Sequence, residues 1–346
     1  MNIGDREIGL CFRPFIIAEM SGNHNQSLER AIKIVDEAAR CGVDAIKLQT
    51  YTADTITMDS HRSEFSIRDP KSQWTGRTLY DLYKEAHTPW DWHKPIFDHA
   101  RKLGLIVFST PFDEKAVDFL QSLDVPAFKI ASFENNHLPL IRRVAETQKP
   151  IIMSTGMASL SELDEASRTA RLFKSDLALL KCTSTYPATP HNTNLATIPA
   201  IRSVFECEVG LSDHTMGTGV AVAAVALGAT IIEKHFTLSR AEGGVDSAFS
   251  LEPYEMKALV EESIRAHESI GVVRFGPTEA EKASLVYRRS IYATVDIPAG
   301  SVVRAEHLRI IRPGLGAAPR DLDRIIGRTV RDDVGKGTPL TWDLLL

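Results

Sequence analysis

The chain has 346 residues, of which 43% are hydrophobic and 25% are charged, and its formal net charge is -5 at pH 7. These values are ordinary for a globular protein, and the excess of acidic residues argues against nucleic acid or a membrane surface as the main partner. No apolar run approaches the roughly 20 residues that cross a bilayer, and the N-terminus lacks the features of a signal peptide. We therefore expect a cytoplasmic protein.

The cysteines are widely spaced and form no Cys-x-x-Cys pair. Three of the four lie in or beside apolar runs, which is typical of buried thiols. We expect reduced residues of the hydrophobic core at Cys11, Cys41, Cys182 and Cys207.

Eight short aliphatic runs, each followed by a helical pattern, occupy about the first 270 residues, and this number of units is typical of a TIM barrel. The first run, 15–19, precedes a helix that begins at about Ser27, a predicted N-cap, and ends at Cys41. An open doubly wound sheet is the alternative, but no Gly-x-Gly-x-x-Gly turn follows the first run. The other strands are predicted at 44–49, 105–109, 127–131, 150–154, 177–182, 210–214 and 231–235, and the other helices at 79–86, 92–103, 219–227 and 253–270 and from 114, 138, 161 and 195.

Side chains alternate between the two faces of a strand, so polar residues two apart lie together. In the second strand, Lys47 and Gln49 share a face, and a polar face in a parallel sheet usually points into a site. The following loop, from about 50 to 76, is long for a barrel connection and is expected to be a lid or a specificity element.

Two strands end in a histidine, and both carry a second polar residue on the same face. Ser212 and His214 share a face of one strand, and Glu233 and His235 share a face of the next. Two imidazoles at adjacent strand ends could hold a divalent cation with open positions for water and substrate. Either histidine alone could instead be a hydrogen-bonded residue at a strand end.

The pattern changes after about Gly271, and the tail repeats a motif. The segment Asp296-Ile297-x-x-Gly300-x-x-Val303 recurs as Asp333-Val334-x-x-Gly337-x-x-Leu340, which predicts a duplicated turn-and-strand unit. We therefore divide the chain into a barrel at 1–271, a linker at 272–285 and a small β-rich domain at 286–346.

Chemistry in a TIM barrel lies at the carboxyl ends of its strands. Lysines and hydroxyl groups there would suit a phosphate or carboxylate anion, although some of the lysines could pair with acids for structural reasons. The polar residues at the predicted strand ends are Glu19, Lys47, Gln49, Thr110, Lys129, Ser132, Glu134, Ser154, Lys181, Thr183, Ser184, Tyr186, Ser212, His214, Glu233 and His235.

Several motifs resemble the nonulosonic (sialic) acid synthase family, and together they span nearly the whole chain. The tail resembles that family's antifreeze-like (SAF) domain, including Ile311-Arg312-Pro313-Gly314. The barrel motifs are Gly22-Asn23-His24-Asn25, Lys47-Leu48-Gln49-Thr50, Ser109-Thr110-Pro111-Phe112, Phe128-Lys129-Ile130-Ala131-Ser132, Ser154-Thr155-Gly156-Met157, Leu211-Ser212-Asp213-His214 and Glu233-Lys234-His235-Phe236.

The resemblance implies condensation of phosphoenolpyruvate with an open-chain amino-sugar aldehyde and water, giving a nine-carbon 2-keto acid and phosphate. His214 and His235 would hold the metal, which in the family is usually manganese, with magnesium or cobalt possible. Two imidazoles alone would suit zinc or iron equally well. Glu19 and Glu134 are both candidates to accept the proton of the attacking water. The implied substrate-binding residues are Lys47, Gln49, Thr110, Phe112, Lys129, Ser132, Ser184, Tyr186, Ser212, Glu233, Asp246 and Arg312.

Within the family, the segments 63–67, 86–90, 131–134, 181–187 and 244–250 look most like the branch that makes pseudaminic acid. Ser184 and Ser247 replace an asparagine and a histidine of the sialic acid branch. The expected sugar is 2,4-diacetamido-2,4,6-trideoxy-L-altrose, and legionaminic or N-acetylneuraminic acid synthesis is the alternative. Its 6-methyl and 4-acetamido groups favour an apolar pocket, for which the candidates are Phe65, Trp74, Phe133 and Phe249.

Two other classes of protein remain open at this point. Lys181 closes the sixth strand, and a lysine at such a position is also how Schiff-base aldolases act on pyruvate-type substrates. A sugar-binding protein without catalysis is the third possibility, but it would not need such a ring of lysines and acids.

The resemblance also implies an assembly. The family places the arginine that matches Arg312 over the sugar in a partner subunit's barrel mouth, where its guanidinium would bind an acetamido carbonyl. We therefore expect a domain-swapped homodimer with a two-fold axis.

Overall fold

The computed structural model describes residues 1–70 and 72–346, which divide into two units, Met1–Gly271 and Val272–Leu346. In the first unit, the described residues include eight parallel strands that close into a barrel, with the last strand hydrogen-bonded to the first. The predicted TIM barrel is confirmed, and the open doubly wound sheet is wrong because this sheet has no edge. The strands are β1 Phe15–Glu19, β2 Ala45–Thr50, β3 Ile106–Pro111, β4 Phe128–Ile130, β5 Ile151–Ser154, β6 Leu177–Cys182, β7 Glu208–Asp213 and β8 Ile231–His235.

Helices pack around this barrel with amphipathic faces. In the helix Leu28–Cys41 the buried residues include Ala31, Ile34, Val35 and Ala38, the spacing of one helical face. Ser27 caps it as predicted, accepting a hydrogen bond from the backbone N–H of Arg30. The helices are Leu28–Cys41, Ala53–Ile56, Leu79–Ala86, Trp90–Lys102, Glu114–Ser122, Leu138–Ala145, Leu160–Ala170, Thr197–Phe205, Gly219–Ala226 and Pro253–Ile270.

Some features of the first unit differ from the sequence predictions. An antiparallel hairpin, Asn2–Ile3 with Arg6–Glu7, precedes the barrel, and its two-residue strands are too short to produce a periodic pattern. The strand β7 ends at Asp213, so His214 follows it rather than closing it. The prediction of core cysteines is wrong for Cys11, which is exposed; all four cysteines are free.

Strand register aligns the polar residues at the carboxyl ends. Glu19 pairs with His235 on one side and with Lys47 on the other, and Gln49 pairs with Thr110. Because parallel strands point the same way, this register gathers side chains from β8, β1, β2 and β3 at one end of the barrel.

The second unit contains the antiparallel pair β9 Ser290–Ala293 and β10 Leu308–Ile311 and the short helices Glu279–Lys282 and Leu322–Ile325. The two copies of the repeated motif pair with each other: Ile297 and Val334 exchange backbone hydrogen bonds of 2.8 and 2.9 Å. Each copy's aspartate accepts a backbone hydrogen bond from the other copy, Asp333 from Ala299 at 2.8 Å and Asp296 from Lys336 at 2.7 Å. The repeat therefore forms a pseudo-two-fold pair.

Across residues 1–70 and 72–346, none of the helices is long and apolar enough to cross a membrane.

Candidate active site

A buried ion pair occupies the centre of the barrel mouth. Lys47 Nζ is 2.6 Å from Glu19 Oε2 and donates to Thr110 Oγ1 at 3.1 Å. Gln49 Nε2 donates to Glu19 Oε1 at 2.8 Å, so Lys47 and Gln49 share a face as predicted. Glu19 is 1% exposed, and both of its oxygens are engaged by these contacts.

Glu233 lies between two buried lysines. Its carboxylate is 3.8 Å from Lys47 Nζ and 3.7 Å from Lys129 Nζ, and it accepts a hydrogen bond from Ser212 Oγ at 3.0 Å. Burial by itself raises the pKa of Glu233, but Lys129 and Lys47 outweigh burial and hold the pKa below its usual value. Glu233 is therefore ionised at neutral pH and offsets part of the positive charge of the lysines.

Lys129 has a less complete set of partners than Lys47. Its Nζ donates to Ser154 Oγ at 2.6 Å and to the Ile130 carbonyl at 3.2 Å. Burial lowers the pKa of Lys129, with Glu233 opposing the shift. A second anion near Lys129 would stabilise its charged form.

The hydroxyl groups of Ser132 and Ser184 lie against Gly156. The backbone N–H of Gly156 donates to Ser132 Oγ at 3.1 Å. A Cβ atom at position 156 would lie 2.6 Å from Ser132 Oγ and closer still to Ser184 Oγ. A side chain at position 156 would therefore displace both serine hydroxyls from their present positions.

The two histidines lie together, with ring centroids 5.4 Å apart. His214 Nδ1 is 3.0 Å from the Thr183 carbonyl, so this nitrogen is the donor and Nε2 keeps the lone pair. His235 Nδ1 is buried and has no hydrogen-bond partner among the described residues. Burial lowers the pKa of His235 well below its usual value, so this imidazole is neutral.

Imidazole nitrogens with free lone pairs fit the ligand set of a divalent cation. Burial lowers the pKa of His214, but contacts with Cys182 and the Thr183 carbonyl outweigh burial and raise it, so a bound cation would have to displace a proton from this ring. The part of the chain that the structure describes contains no cluster of three or more His, Cys, Asp and Glu residues suited to a metal ion. His214 and His235 would thus be the protein's two ligands, leaving the remaining coordination positions to water and substrate.

Glu134 differs from Glu19 in its contacts. Its Oε2 is buried and has no hydrogen-bond partner in residues 1–70 and 72–346. Burial raises the pKa of Glu134 to about 7, and Lys129 opposes the shift. Burial also raises the pKa of Glu19, with Lys47 opposing the shift. The two carboxylates therefore differ chiefly in the ion pair: Lys47 Nζ lies 2.6 Å from Glu19 Oε2, whereas no ion pair to Glu134 is present among the described residues.

Aromatic side chains border the histidines. The ring of Tyr186 lies 4.5 Å from His214 and 5.2 Å from Phe249, and Phe249 lies 5.0 Å from His235. Trp74 joins this cluster at 6.1 Å from Tyr186, and its Nε1 donates to the Val245 carbonyl at 3.0 Å. The long loop thus reaches the mouth of the barrel, where it contacts the segment after β8.

The remaining predicted residues lie around this cluster. Asp246 is buried and accepts a hydrogen bond from Ser21 Oγ. Phe112 packs edge-on against Tyr51 at 5.1 Å. Phe133 is 58% exposed, so it does not line a closed pocket.

Lys181 does not join the ring of polar residues, and its predicted position is wrong. Its Nζ donates to the Cys182 carbonyl at 2.8 Å and to Thr183 Oγ1 at 3.2 Å. It borders an outer groove with Leu163 and Ile201, in the helices that follow β5 and β6. Lys181 is therefore not placed to form a Schiff base with a substrate in the barrel mouth, which argues against the aldolase interpretation.

Cys182 takes the inward position instead. Its Sγ is 3.9 Å from His214 Nδ1 and 3.7 Å from Ser184 Oγ. Sequence reasoning missed this residue because the β6 residues before Lys181 are all apolar, so no alternation reveals whether Lys181 or Cys182 points inward. Arg312 is exposed in the second unit, directly after β10.

Comparisons with known proteins define the class of this enzyme. Residues 34–274 match the NeuB family and residues 288–346 match the SAF domain. The chain is 41% identical over 327 residues to the pseudaminic acid synthase of Campylobacter jejuni, covering 94% of this chain and 95% of that protein. It is 39% identical over 333 residues to the pseudaminic acid synthase of Helicobacter pylori, covering 95% and 97%. The chain belongs to the NeuB family.

A solved structure supports the same assignment. The N-acetylneuraminic acid (sialic acid) synthetase of Leptospira borgpetersenii, crystallised in complex with citrate, matches with a TM-score of 0.74 and 32% identity. The match covers 83% of this chain and 95% of that chain. The predicted family and the predicted SAF domain are confirmed, and the protein is an enzyme of the sialic acid synthase type.

Proposed function

We propose that this enzyme is a pseudaminic acid synthase, which condenses phosphoenolpyruvate with 2,4-diacetamido-2,4,6-trideoxy-L-altrose and water and releases phosphate. The observation that carries the proposal is the arrangement of Lys47 and Lys129, with their hydroxyl neighbours, beside the pair His214 and His235. A cationic, hydroxyl-lined site suits an anionic substrate, and a pair of adjacent imidazoles suits a metal. The identity to two pseudaminic acid synthases supports the choice of sugar.

The phosphate and carboxylate of phosphoenolpyruvate would bind the lysines and the serine hydroxyls. Lys129 keeps one hydroxyl and one carbonyl partner at hydrogen-bond distance, and its nearest carboxylate is 3.7 Å away. Ser132 and Ser184 supply hydroxyl groups that lie together against Gly156. Thr110 and Ser212 keep Lys47 and Glu233 in place.

His214 and His235 would hold a divalent cation, for which we propose manganese, with magnesium or cobalt as alternatives. The bound metal would polarise the aldehyde oxygen of the sugar, so that C3 of phosphoenolpyruvate can attack the aldehyde carbon. The Thr183 carbonyl prepares His214 by fixing its Nδ1–H. Burial prepares His235 by keeping it neutral.

Carbon–carbon bond formation leaves cationic character at C2, where water then adds. Glu134 would accept the proton of this water, because it has a free buried oxygen and a pKa of about 7. Glu19 suits this role less well, because Lys47 and Gln49 engage both of its oxygens. We assign Glu19 instead to holding Lys47 in place.

The sugar would lie against the aromatic side chains beside the histidines. Trp74, Tyr186 and Phe249 form a largely apolar wall that suits a 6-methyl group and acetamido methyls. The Ser247 hydroxyl donates to the Gly244 carbonyl at 3.1 Å, which stabilises its own loop. Asp246 would bind a polar group of the sugar.

We further propose a swapped homodimer, in which Arg312 of one subunit binds an acetamido carbonyl of the sugar in its partner's barrel. Arg312 is exposed and follows β10 directly, so its guanidinium is available to a ligand. The planar guanidinium offers several donors at once, which a lysine could not do.

Substrate specificity tests the proposed function. The purified enzyme would be assayed with phosphoenolpyruvate, manganese and a panel of 2,4-diacetamido and 2-acetamido hexoses, following phosphate release and product mass. We expect kcat/KM for the 6-deoxy-L-altrose to exceed that for N-acetylmannosamine by tenfold or more. Some cross-reactivity is expected, because an apolar pocket rejects a hydroxylated sugar only modestly.

Other outcomes of this assay would overturn the assignment. A preference for N-acetylmannosamine would indicate an N-acetylneuraminic acid synthase, and a preference for the legionaminic acid precursor would indicate that branch. No phosphate release with any sugar would contradict the whole reaction class.

A further inference from the structure

Three hydrogen bonds connect the turn after β4 to the end of β5. The backbone N–H of Gly156 donates to Ser132 Oγ at 3.1 Å. In the opposite direction, Asn135 Nδ2 donates to the carbonyls of Ser154 and Gly156 at 3.3 and 3.1 Å. Asn135 is 5% exposed, so these bonds are shielded from water.

The two connected segments carry several of the groups assigned to phosphoenolpyruvate. The turn contains Ser132 and Glu134 and is followed directly by Asn135. The end of β5 contains Ser154, whose hydroxyl holds Lys129, and leads into Gly156. Lys129 lies on β4, the same side of the junction as Ser132. The distance between the segments therefore sets the position of Ser154, and through its hydrogen bond the position of Lys129 Nζ, relative to Ser132.

The two segments are closely packed at Gly156. A methyl group would not fit between Gly156 and the hydroxyls of Ser132 and Ser184. A shift of Gly156 by a fraction of an ångström would therefore change its distances to the hydroxyl groups of Ser132 and Ser184. Two hydrogen bonds restrain Gly156. Its N–H donates to Ser132 Oγ, and its carbonyl accepts from the Asn135 amide.

We propose that Asn135 is a positioning residue, which fixes the end of β5 against the turn after β4 and so sets the spacing of the phosphoenolpyruvate-binding groups. It does not itself contact the reacting atoms. The inference rests on the proposed function, since it concerns how that site binds its anion.

Asparagine has the chemistry that this position needs. Its amide nitrogen carries two hydrogens, one for each carbonyl. Aspartate has nearly the same shape but offers only acceptors, so it would face the carbonyls of Ser154 and Gly156 without a donor. Asn136 follows immediately and is exposed, which makes Asn136→Asp a matched control.

The test compares the wild type with Asn135→Asp, Asn135→Gln and Asn136→Asp. Calorimetry measures the dissociation constant of inorganic phosphate, steady-state kinetics separate the KM values of phosphoenolpyruvate and sugar, and thermal unfolding reports stability. For Asn135→Asp we expect phosphate binding weakened by tenfold or more and KM for phosphoenolpyruvate raised similarly, with the sugar KM within twofold. Asn136→Asp should match the wild type.

Each result decides the matter. A folded Asn135→Asp enzyme with phosphate binding and KM values within twofold of the wild type would refute the inference, even if its melting temperature falls. If this variant does not fold, Asn135→Gln is the test. It keeps the amide donors but moves them by one methylene, so it should still raise KM for phosphoenolpyruvate severalfold. If Asn135 variants lose phosphate binding while the wild type makes a different nonulosonic acid, only the proposed sugar is wrong. A wild type that neither binds phosphate nor turns over would overturn both proposals.

Discussion

The close approach at Gly156 makes a single methyl group a sharp test of the anion site. In Gly156→Ala, the new Cβ would lie 2.6 Å from Ser132 Oγ, whereas ordinary contacts of this kind begin at 3.4 Å. Since Ser184 Oγ is nearer still, one or both serines must move by about 1 Å. A displacement of this size in a group that positions a substrate can cost about 100-fold in rate.

The expected result is therefore a loss of about 100-fold in kcat/KM for phosphoenolpyruvate, equivalent to about 2.7 kcal/mol. Steady-state phosphate release at saturating sugar measures it. Gly219→Ala is the matched control, because a Cβ at position 219 meets nothing within 4 Å and Gly219 begins a helix. That change should leave activity intact and slightly raise stability.

A folded Gly156→Ala enzyme that keeps kcat/KM within threefold of the wild type would contradict the reasoning. It would mean that the hydroxyls of Ser132 and Ser184 either move freely or do not contact the anion. Circular dichroism and thermal unfolding of both variants separate a local effect from a loss of fold.

Further predictions concern the metal, the proton, the second unit and pH. His214→Ala and His235→Ala should each lose most manganese affinity by calorimetry and nearly all turnover; near-normal rates after exhaustive chelation would rule out the metal. Glu134→Gln should remove the rise of kcat with pH through about 7, which deprotonation of this carboxyl produces; an unchanged profile would assign the base elsewhere. Arg312→Ala should raise the sugar KM far more than that of phosphoenolpyruvate, and mixing it with His235→Ala should restore part of the activity; a dead mixture of exchanging subunits would disprove the swapped dimer. Burial lowers the pKa of His93 to about 4, so the free energy of unfolding should fall by up to about 3 kcal/mol as pH drops from 6.5 towards 4, and equilibrium unfolding of His93→Gln should show a weaker dependence.

The elements of the barrel were predictable because their apolar patterns are strong. Predicted strand ends agree with the observed ones to within about two residues, and β6 and β8 agree at both ends. The duplicated turn of the tail was predictable in a similar way: equal spacing of Asp296 and Asp333 from a glycine predicted two equivalent turns. The sequence did not show that these turns bind each other, because their contact is between segments 37 residues apart, as the pair Ile297 and Val334 shows.

The inward or outward direction of a side chain was harder to predict. In β2, the polar residues Lys47 and Gln49 alternate with apolar ones, and their common face was correctly inferred. In β6, the four residues before Lys181 are apolar and buried on both faces, so the pattern does not distinguish Lys181 from Cys182. Charge alone suggested the lysine, and the structure places the thiol inside.

Contacts between distant segments were also beyond the sequence. Trp74 and Val245 are 171 residues apart, and nothing local indicates that the indole donates to that carbonyl. Likewise, Glu19 and Glu134 are the same residue type at the ends of two strands, so the sequence does not distinguish them. Their different surroundings arise because Lys47 and Gln49 engage the carboxylate of Glu19, whereas Oε2 of Glu134 is buried without a hydrogen-bond partner among the described residues.

The two buried lysines are prepared for an anion in different ways. Lys47 already has a carboxylate at 2.6 Å, so an incoming phosphate adds to a charge that is largely compensated. Lys129 has only a hydroxyl and a carbonyl at hydrogen-bond distance, and burial lowers its pKa. A buried ammonium whose nearest carboxylate, that of Glu233, is 3.7 Å away is incompletely compensated, and its attraction to a bound anion is correspondingly strong in a poorly hydrated site. We therefore propose that Lys129 supplies most of the attraction for phosphoenolpyruvate, whereas the Lys47–Glu19 pair chiefly keeps the barrel mouth in its binding geometry.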